Sequence, residues 1–229
     1  MSPRVIRPFR SATLICSVAL AACGDTGSLT VATVGGGDAA SVRFVNATGS
    51  NLDLAQNGVV TAANANIAPG TTVGCLAVDP AAASITVRVT GTATDLSGFP
   101  ASFTTGGQAT VVAYIGPSST IQFISIPLAF TPLPARSGLR VFNGSAALSL
   151  VDVYATLPNA ALGTPNVSSL VFGAASDPFN ASAGSTQVRL TNAGTTTVLF
   201  DAGTQVLEAG KSYTLVVSSA TPAILVPDC

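Results

Sequence analysis

The sequence predicts an all-β protein in which two tandem immunoglobulin-like β-sandwich domains follow an N-terminal signal segment and a flexible tether. The first observation is an internal repeat: VRFVN at 42–46 returns as LRVFN at 139–143, each time with an Arg between apolar residues and an Asn at the end. The second is a series of short segments with alternating apolar and polar residues, separated by Gly, Pro, Asn and Asp. The third is composition: 8% of the residues are charged and 48% are apolar, whereas an average soluble domain is about 25% charged.

The repeat extends through four segments in the same order. The distance between matching residues grows from 97 (Val42 to Leu139) to 103 (Leu96 to Leu199). Small steps of this kind indicate strands of equal length joined by loops that are longer in the second copy, because loops tolerate insertions. The sequence therefore predicts a first sandwich at 41–127, a Pro-rich linker at 128–137 and a second sandwich at 138–229.

Alternation and turn residues predict seven short strands in each copy, a number typical of an immunoglobulin-like sandwich. In the first copy we expect them at 41–46, 52–56, 71–78, 84–90, 101–104, 109–115 and 120–126. In the second copy we expect them at 138–143, 150–154, 168–172, 186–191, 196–201, 212–218 and 223–226. No stretch has a convincing 3.6-residue apolar period, so the expected helix content is very low.

Residues 1–22 have the layout of a signal peptide. Arg4, Arg7 and Arg10 form a positive start, and 11–20 is an apolar run too short to cross a bilayer as a helix. The run ends in Leu-Ala-Ala-Cys at 20–23, which resembles the lipobox of bacterial lipoproteins. The resemblance implies that Cys23 becomes the acylated N-terminus and anchors the chain to a membrane. The alternatives are an ordinary secretory signal with a chance Cys, or an uncleaved helix.

Residues 23–40 predict the acylated Cys and a tether, because they are rich in Gly, Ala, Thr and Asp. As a flexible coil this stretch reaches about 20–25 Å, enough to lift a domain off lipid headgroups. Gly24 follows Cys23, where an Asp often marks inner-membrane retention in envelopes with two membranes. We therefore expect a lipid-anchored protein of the bacterial cell envelope, with the outer membrane favoured where there are two membranes and with the globular part extracytoplasmic.

Several segments of the second copy resemble one bacterial family. They are the opening LRVFN, LVDVYA at 150–155, the turn at Phe172 and Gly173, and AGKSYTLVV at 209–217. Together they resemble the extracytoplasmic family called domain of unknown function 4397. The resemblance implies immunoglobulin-like sandwiches, often paired and often on lipoproteins, and it implies no activity or catalytic residues. The first copy matches less well, since it reads LDLAQ where the second reads VDVYA.

The sequence argues against catalysis. The chain has no His, which excludes devices of the Ser-His-Asp and Cys-His kinds and removes the commonest metal ligand. Asp53 and Asp152 occupy matching places, one in each copy, whereas a glycosidase pair needs both carboxylates in one site. We expect each to bond a turn or to pair with one of the repeated arginines, which are Arg43 with Arg140 and Arg88 with Arg189. We expect no enzymatic activity, no metal or other cofactor and, without a basic run, no nucleic-acid partner.

Two cysteines remain outside the signal segment, Cys75 and Cys229. In an oxidising compartment an even pair usually forms a disulfide. A bond between them would close about 155 residues and be worth roughly 5 kcal/mol in the chain-entropy model. It would require the end of the second copy to reach the first, so that the copies pack together. The alternatives are two free thiols, or a bond from Cys229 to another molecule.

Two classes of function fit these observations. The favoured one is a structural or interaction protein that contacts other envelope proteins through edge strands and loops. The alternative is a module that binds a glycan or a small ligand, which usually needs exposed aromatic platforms. The chain has no Trp, and most Phe and Tyr residues fall on strands. Phe99 and Phe179, each beside a Pro, are therefore the candidate ligand contacts.

Overall fold

The all-β prediction is confirmed by a computed structural model that describes residues 39–80, 85–100 and 102–229. These residues contain one short 3-10 helix, Ala62–Asn64, and no α-helix. Their strands are β1 (Ala40–Asn46), β2 (Leu52–Gln56), β3 (Thr72–Val78), β4 (Ile85–Val89), β5 (Gln108–Ile115), β6 (Ile121–Pro127), β7 (Arg136–Gly144), β8 (Leu150–Thr156), β9 (Val167–Val171), β10 (Phe179–Ser182), β11 (Gly184–Asn192), β12 (Val198–Leu207), β13 (Ser212–Ser218) and β14 (Ile224–Pro227).

The predicted signal peptide at 1–22, the predicted lipidation site Cys23 and all but the last two residues of the predicted tether lie outside the described residues. Within the described ranges, no helix has both the length and the hydropathy that a membrane crossing requires.

The strands form four sheets, of which two have the same order and directions. Inner sheet 1 has the order β3-β1-β5-β6, and inner sheet 2 has the order β10-β7-β13-β14. In each, the first strand of the copy runs parallel to one neighbour (β5 or β13) and antiparallel to the other (β3 or β10). Outer sheet 1 consists of β2 and β4, and outer sheet 2 has the order β12-β11-β8-β9. All described residues belong to one compact unit.

Three apolar cores separate these sheets. The first lies between outer sheet 1 and inner sheet 1 and includes Phe44 and Val87. The second lies between inner sheet 2 and outer sheet 2 and includes Leu190 and Leu215. The third joins the two inner sheets, and we call it the junction; its buried apolar residues are Val45, Ala47, Val112, Tyr114, Ile126, Phe142, Val216 and Val226. The four sheets are therefore stacked in the order outer 1, inner 1, inner 2, outer 2.

The repeated phrase is explained by this stacking. In the first copy Val42 and Phe44 face the first core, while Val45 faces the junction and Arg43 shares its face of the strand. Asn46 is fully buried and its amide donates to the carbonyls of Ser50 and Ile67, both at 2.8 Å. The second phrase places its residues in the same way: Leu139 and Val141 face the second core, Arg140 and Phe142 lie on the junction face, and Asn143 donates to the Leu148 carbonyl.

Four strands are buried on both faces, because each inner sheet is covered on both sides. They are β1, β5, β7 and β13, and β7 is buried at every residue after Arg136. A strand covered on both faces has a continuous apolar run instead of an alternating one. This explains the stretches ATVVA at 109–113 and YTLVV at 213–217.

Strand positions were predicted well except at three places. The predicted strand at 101–104 is wrong, since residues 102–104 are irregular; Pro100 has no N–H to pair, and Gly98 has a φ of 86°. Strand β10 was not predicted; Asp177 and Pro178, which directly precede it, are residue types common in turns. Strand β12 runs to Leu207, beyond the predicted end at 201, because two register shifts let it stay paired with β11.

The first testable prediction concerns the junction. Phe142 is fully buried, and its ring centroid lies 5.0 Å from that of Tyr114 on the opposite sheet. Phe142→Ala should lower the free energy of unfolding by about 3–5 kcal/mol, because it leaves a cavity in a core that both copies share. Urea unfolding followed by far-UV circular dichroism should show one transition that moves as a whole.

The control for this experiment is Val206→Ala, a truncation at a side chain that is 69% exposed. It should change the free energy of unfolding by less than about 0.5 kcal/mol. Two separate transitions, of which Phe142→Ala moves only one, would contradict the prediction.

Candidate functional site

The repeated acids Asp53 and Asp152 each accept hydrogen bonds from two other segments of their own copy. Asp53 Oδ1 accepts hydrogen bonds from the Asn66 N–H at 2.8 Å and the Thr90 hydroxyl at 2.7 Å. Asp152 accepts from the Ser169 N–H at 2.8 Å and, through its other oxygen, from the Gly194 N–H at 2.7 Å. Asn66 and Ser169 both have left-handed backbones, with φ of 54° and 56°. The prediction that these carboxylates bond turns is confirmed.

The repeated arginines divide into two pairs with different surroundings. Arg189 lies on outer sheet 2, and its Nη2 donates to Thr156 Oγ1 at 2.7 Å and to the Ala160 carbonyl at 2.6 Å. These bonds hold the loop after β8 against the sheet. Arg88 is the cross-strand neighbour of Asp53. The hydrogen bond from Asn66 is the main cause that lowers the pKa of Asp53, and the positive charge of Arg88 is a smaller one.

Arg43 and Arg140 lie at one end of the junction, within a polar group that we call the junction cluster. Its members are Arg43, Thr110, Arg140, Thr214 and Asp228. Thr110 is the neighbour of Arg43 in inner sheet 1, and Thr214 is the neighbour of Arg140 in inner sheet 2. Thr214 donates to Asp228 Oδ1 at 3.4 Å, and Arg140 Nη1 donates to the Pro127 carbonyl at 2.7 Å. The sequence repeat therefore brings both arginines to the same contact between the copies.

The junction cluster contains one carboxylate for two guanidinium groups. Burial raises the pKa of Asp228, and the charges of Arg140 and Arg43 and the hydrogen bond from Thr214 oppose that rise. Burial likewise lowers the pKa of Arg140, against the charges of Asp228 and Asp177. Arg43 Nε and Thr110 Oγ1 are buried without a partner among the described residues. Burying a polar group without a hydrogen-bond partner costs free energy. These two atoms therefore lower the free energy of unfolding at this end of the junction.

A disulfide between Cys75 and Cys229 closes the same end, which confirms the predicted pairing. Cys75 lies in β3, at one edge of inner sheet 1, and Cys229 follows β14, at one edge of inner sheet 2. The two Cα atoms are 5.8 Å apart. Arg43 Nη2 lies 3.1 Å from Cys75 Sγ, so the bond abuts the junction cluster. The disulfide thus ties the edges of the two inner sheets.

The aromatic candidates for ligand contact are half-buried against cores. The Phe99 ring lies 6.4 Å from that of Phe44 and 5.3 Å from that of Phe123, and it packs on the first core. Phe179 is in β10, opposite Leu139, and packs on the second core. Both rings contribute to packing, and their contact with a ligand stays a prediction.

A groove of about 420 Å³ opens between the two copies. Its first wall is β6 of inner sheet 1, and its second wall is the 173–177 turn beside Arg140 of inner sheet 2. We call it the junction groove; its side chains include Ile124, Ile126, Pro127, Arg140, Ala175 and Asp177. Two smaller cavities, of about 320 Å³ and 280 Å³, lie beside the start of β1 and beside Asp228.

Sequence reasoning did not find Asp177, Asp228, Thr110 or Thr214 as members of a site. The two threonines carried a signal, because each interrupts an apolar run in a strand that is buried on both faces. The two acids carried none, since each is isolated in the sequence. Among the described residues, no group of three His, Cys, Asp or Glu side chains is placed to hold a metal ion.

The second testable prediction concerns the pH dependence of stability. A group whose pKa is raised by folding stabilises the fold below its unfolded pKa, and this contribution is lost as the pH rises through the folded pKa. Asp228 is such a group. From about pH 3.5 to about pH 7, the wild-type free energy of unfolding should therefore fall relative to that of Asp228→Asn, as measured by urea titration at each pH.

Asp53→Asn is the matched control for this titration and has the opposite sign. The pKa of Asp53 is lowered, so its contribution is present above the ordinary value of 3.8 and is lost as the pH falls through the folded pKa. Wild type and Asp228→Asn that keep a constant difference across the whole range would contradict the prediction.

The second part of the chain resembles a known protein family. Residues 137–227 match the model of the family Domain of unknown function (DUF4397). This range runs from the second residue of β7 to the last residue of β14, so it covers inner sheet 2 and outer sheet 2. No curated protein matches the chain. Residues 137–227, which make up the second copy of the repeat, are thus similar to the family Domain of unknown function (DUF4397).

Proposed function

We propose that this chain is a lipid-anchored, non-catalytic protein of the bacterial cell envelope, in which two tandem immunoglobulin-like sandwiches form one body that contacts other envelope proteins. The observation that carries the interaction role is the position of the exposed apolar side chains. Of the eight large apolar residues that are most exposed among the described residues, six lie on outer sheet 2 or directly after one of its strands: Leu150, Leu157, Val171, Val198, Leu199 and Val206. Exposed apolar side chains concentrated on one sheet are a feature of interaction sites.

The tandem organisation is supported by the equal strand order of the two inner sheets. Each copy also packs its inner sheet on its own outer sheet through a separate core. Two sheets facing each other over such a core are the architecture of an immunoglobulin-like sandwich. The equivalent roles of Asp53 and Asp152 further support a duplicated domain.

Strand β12 supports the same interaction role through its backbone. It is ten residues long, forms one edge of outer sheet 2, and has Asp201 as its only charged residue. An edge strand presents unpaired N–H and C=O groups that can pair with a strand of another protein. Val206 and Leu199, exposed on this strand, would add apolar contacts to that pairing.

The envelope location and the anchor rest on the N-terminal sequence. The positive start, the short apolar run and the Leu-Ala-Ala-Cys motif occur in the order that lipoprotein export requires. Labelling growing cells with a radioactive fatty acid tests this proposal. The wild-type protein should carry label and sediment with membranes, where two or more acyl chains hold it stably. Cys23→Ser should lose at least about nine-tenths of the label, because it lacks the thiol that forms the thioether to the lipid.

Cys16→Ser is the matched control for this labelling, because Cys16 lies inside the apolar run. It should keep the label and the membrane fraction. Equal labelling of wild type and Cys23→Ser would refute the anchor.

The interaction role is tested by photo-crosslinking in living cells of the source. A photoreactive residue at position 206, in the full lipid-anchored chain, should give a discrete product with one envelope protein. The control position is 59, where Val59 is 61% exposed but belongs to the first copy. Val171→Asp, a charge placed on the same outer sheet, should reduce the yield at position 206 several-fold, because burying an unpaired charge is costly. The same products from positions 206 and 59, or none from either, would contradict the proposal.

A further inference from the structure

We propose that the junction groove binds a small zwitterion with an apolar side chain, namely a free apolar α-amino acid, whose carboxylate is held by Arg140 and whose ammonium group is held by Asp177. This role is separate from the interaction surface on outer sheet 2, because none of the exposed residues that define that surface lines the groove.

Arg140 supplies a buried cation with free donors. Its side chain lines the groove and Arg140 as a whole is 9% exposed. A guanidinium group has five N–H donors in a planar fork, and here Nη1 donates to the Pro127 carbonyl. The other donors have no acceptor among the described residues, and no described carboxylate lies within 4.0 Å. A carboxylate is the ligand group that fits a planar fork of this kind best.

Asp177 supplies the opposite charge in the same groove. It is exposed, and its carboxylate accepts no hydrogen bond from another described residue. Its charge acts on Arg140, yet the two groups do not form an ion pair. The two charged groups therefore lie apart in the groove. Arg140 can bind an anionic group of a ligand, and Asp177 can bind a cationic one.

The presence of both charges decides between classes of ligand. A simple carboxylic acid that reaches Arg140 meets repulsion from Asp177, and a simple amine that reaches Asp177 meets repulsion from Arg140. A zwitterion offers an opposite charge to both Arg140 and Asp177. The repulsion that a simple acid or a simple amine would meet gives the site its specificity. An α-amino acid carries its carboxylate and ammonium groups on the same carbon, so one small molecule offers a partner to each of the two residues.

The remaining walls and the size of the groove fit an apolar side chain. Ile124 and Ile126 come from inner sheet 1, and Ala174 and Ala175 come from the turn of the second copy. The volume of about 420 Å³ lies within the range of about 300–1,000 Å³ that is usual for small-molecule sites. Since both copies contribute walls, the site exists only because the two sandwiches are joined.

The experiment is a calorimetric titration of the full chain, in detergent, with L-leucine and two analogues. Isocaproate keeps the carboxylate and the side chain without the amine, and isoamylamine keeps the amine and the side chain without the carboxylate. L-leucine should bind saturably, and each analogue should bind at least about tenfold more weakly, since each loses one charge-assisted contact. Asp177→Asn should remove most of the preference for L-leucine over isocaproate.

The matched control is Asp95→Asn, which makes the same change at an exposed acid outside the groove. It should keep the wild-type preference. Asp177 is exposed, so Asp177→Asn is expected to fold. Arg140→Gln alters a buried residue, so its binding data are interpreted only if its circular dichroism spectrum matches that of the wild type. Absence of L-leucine binding, isocaproate binding as tight as that of L-leucine, or an unchanged preference in Asp177→Asn would each overturn the proposal.

Discussion

The contact between the two inner sheets is the constraint on which the rest of this structure depends. A single sandwich would leave the second face of its inner sheet in water, and that face would then be polar. Here Val45, Val112 and Tyr114 of the first copy meet Phe142 and Val216 of the second, all of them buried. The described part of the chain consequently has four sheets with three cores between them, and both faces of its central strands must suit an apolar environment.

The junction changes in character along its length. The end with Tyr114 and Phe142 is apolar and aromatic, and there the hydroxyl of Ser218 donates to the Ala47 carbonyl across the contact at 2.7 Å. The other end holds Arg43, Arg140 and Asp228, which are costly to bury. The disulfide closes this polar end, where apolar packing contributes least. The disulfide thus stabilises one end of the junction and apolar packing stabilises the other. The junction groove opens at the place where Arg140 lines the edge of the junction.

The sequence was sufficient to predict what depends on local pattern. Alternation and turn residues predicted thirteen of the fourteen strands that the described residues form, and the offsets of the repeat placed Asp53 and Asp152 in equivalent roles. The pairing of Cys75 with Cys229 followed from their being the last two cysteines. Features that depend on contacts between segments far apart in the sequence could not be predicted from local pattern. Strand β10 exists because Phe179 pairs with Leu139, and Asp177 lies near Arg140 only because the 173–177 turn bonds to β7.

The disulfide also has a mechanical consequence. It encloses everything from residue 75 to residue 229 in one covalent loop, with a sequence separation of 154 residues. A pull between the start of β1 and the end of the chain therefore cannot extend the second copy, even after every hydrogen bond in it has broken. Only the segment before Cys75 can lengthen, by at most about 3.5 Å for each residue. Under tension the disulfide therefore keeps the second copy from being stretched. The force acts instead on β1, which is paired with β3 and β5 in inner sheet 1.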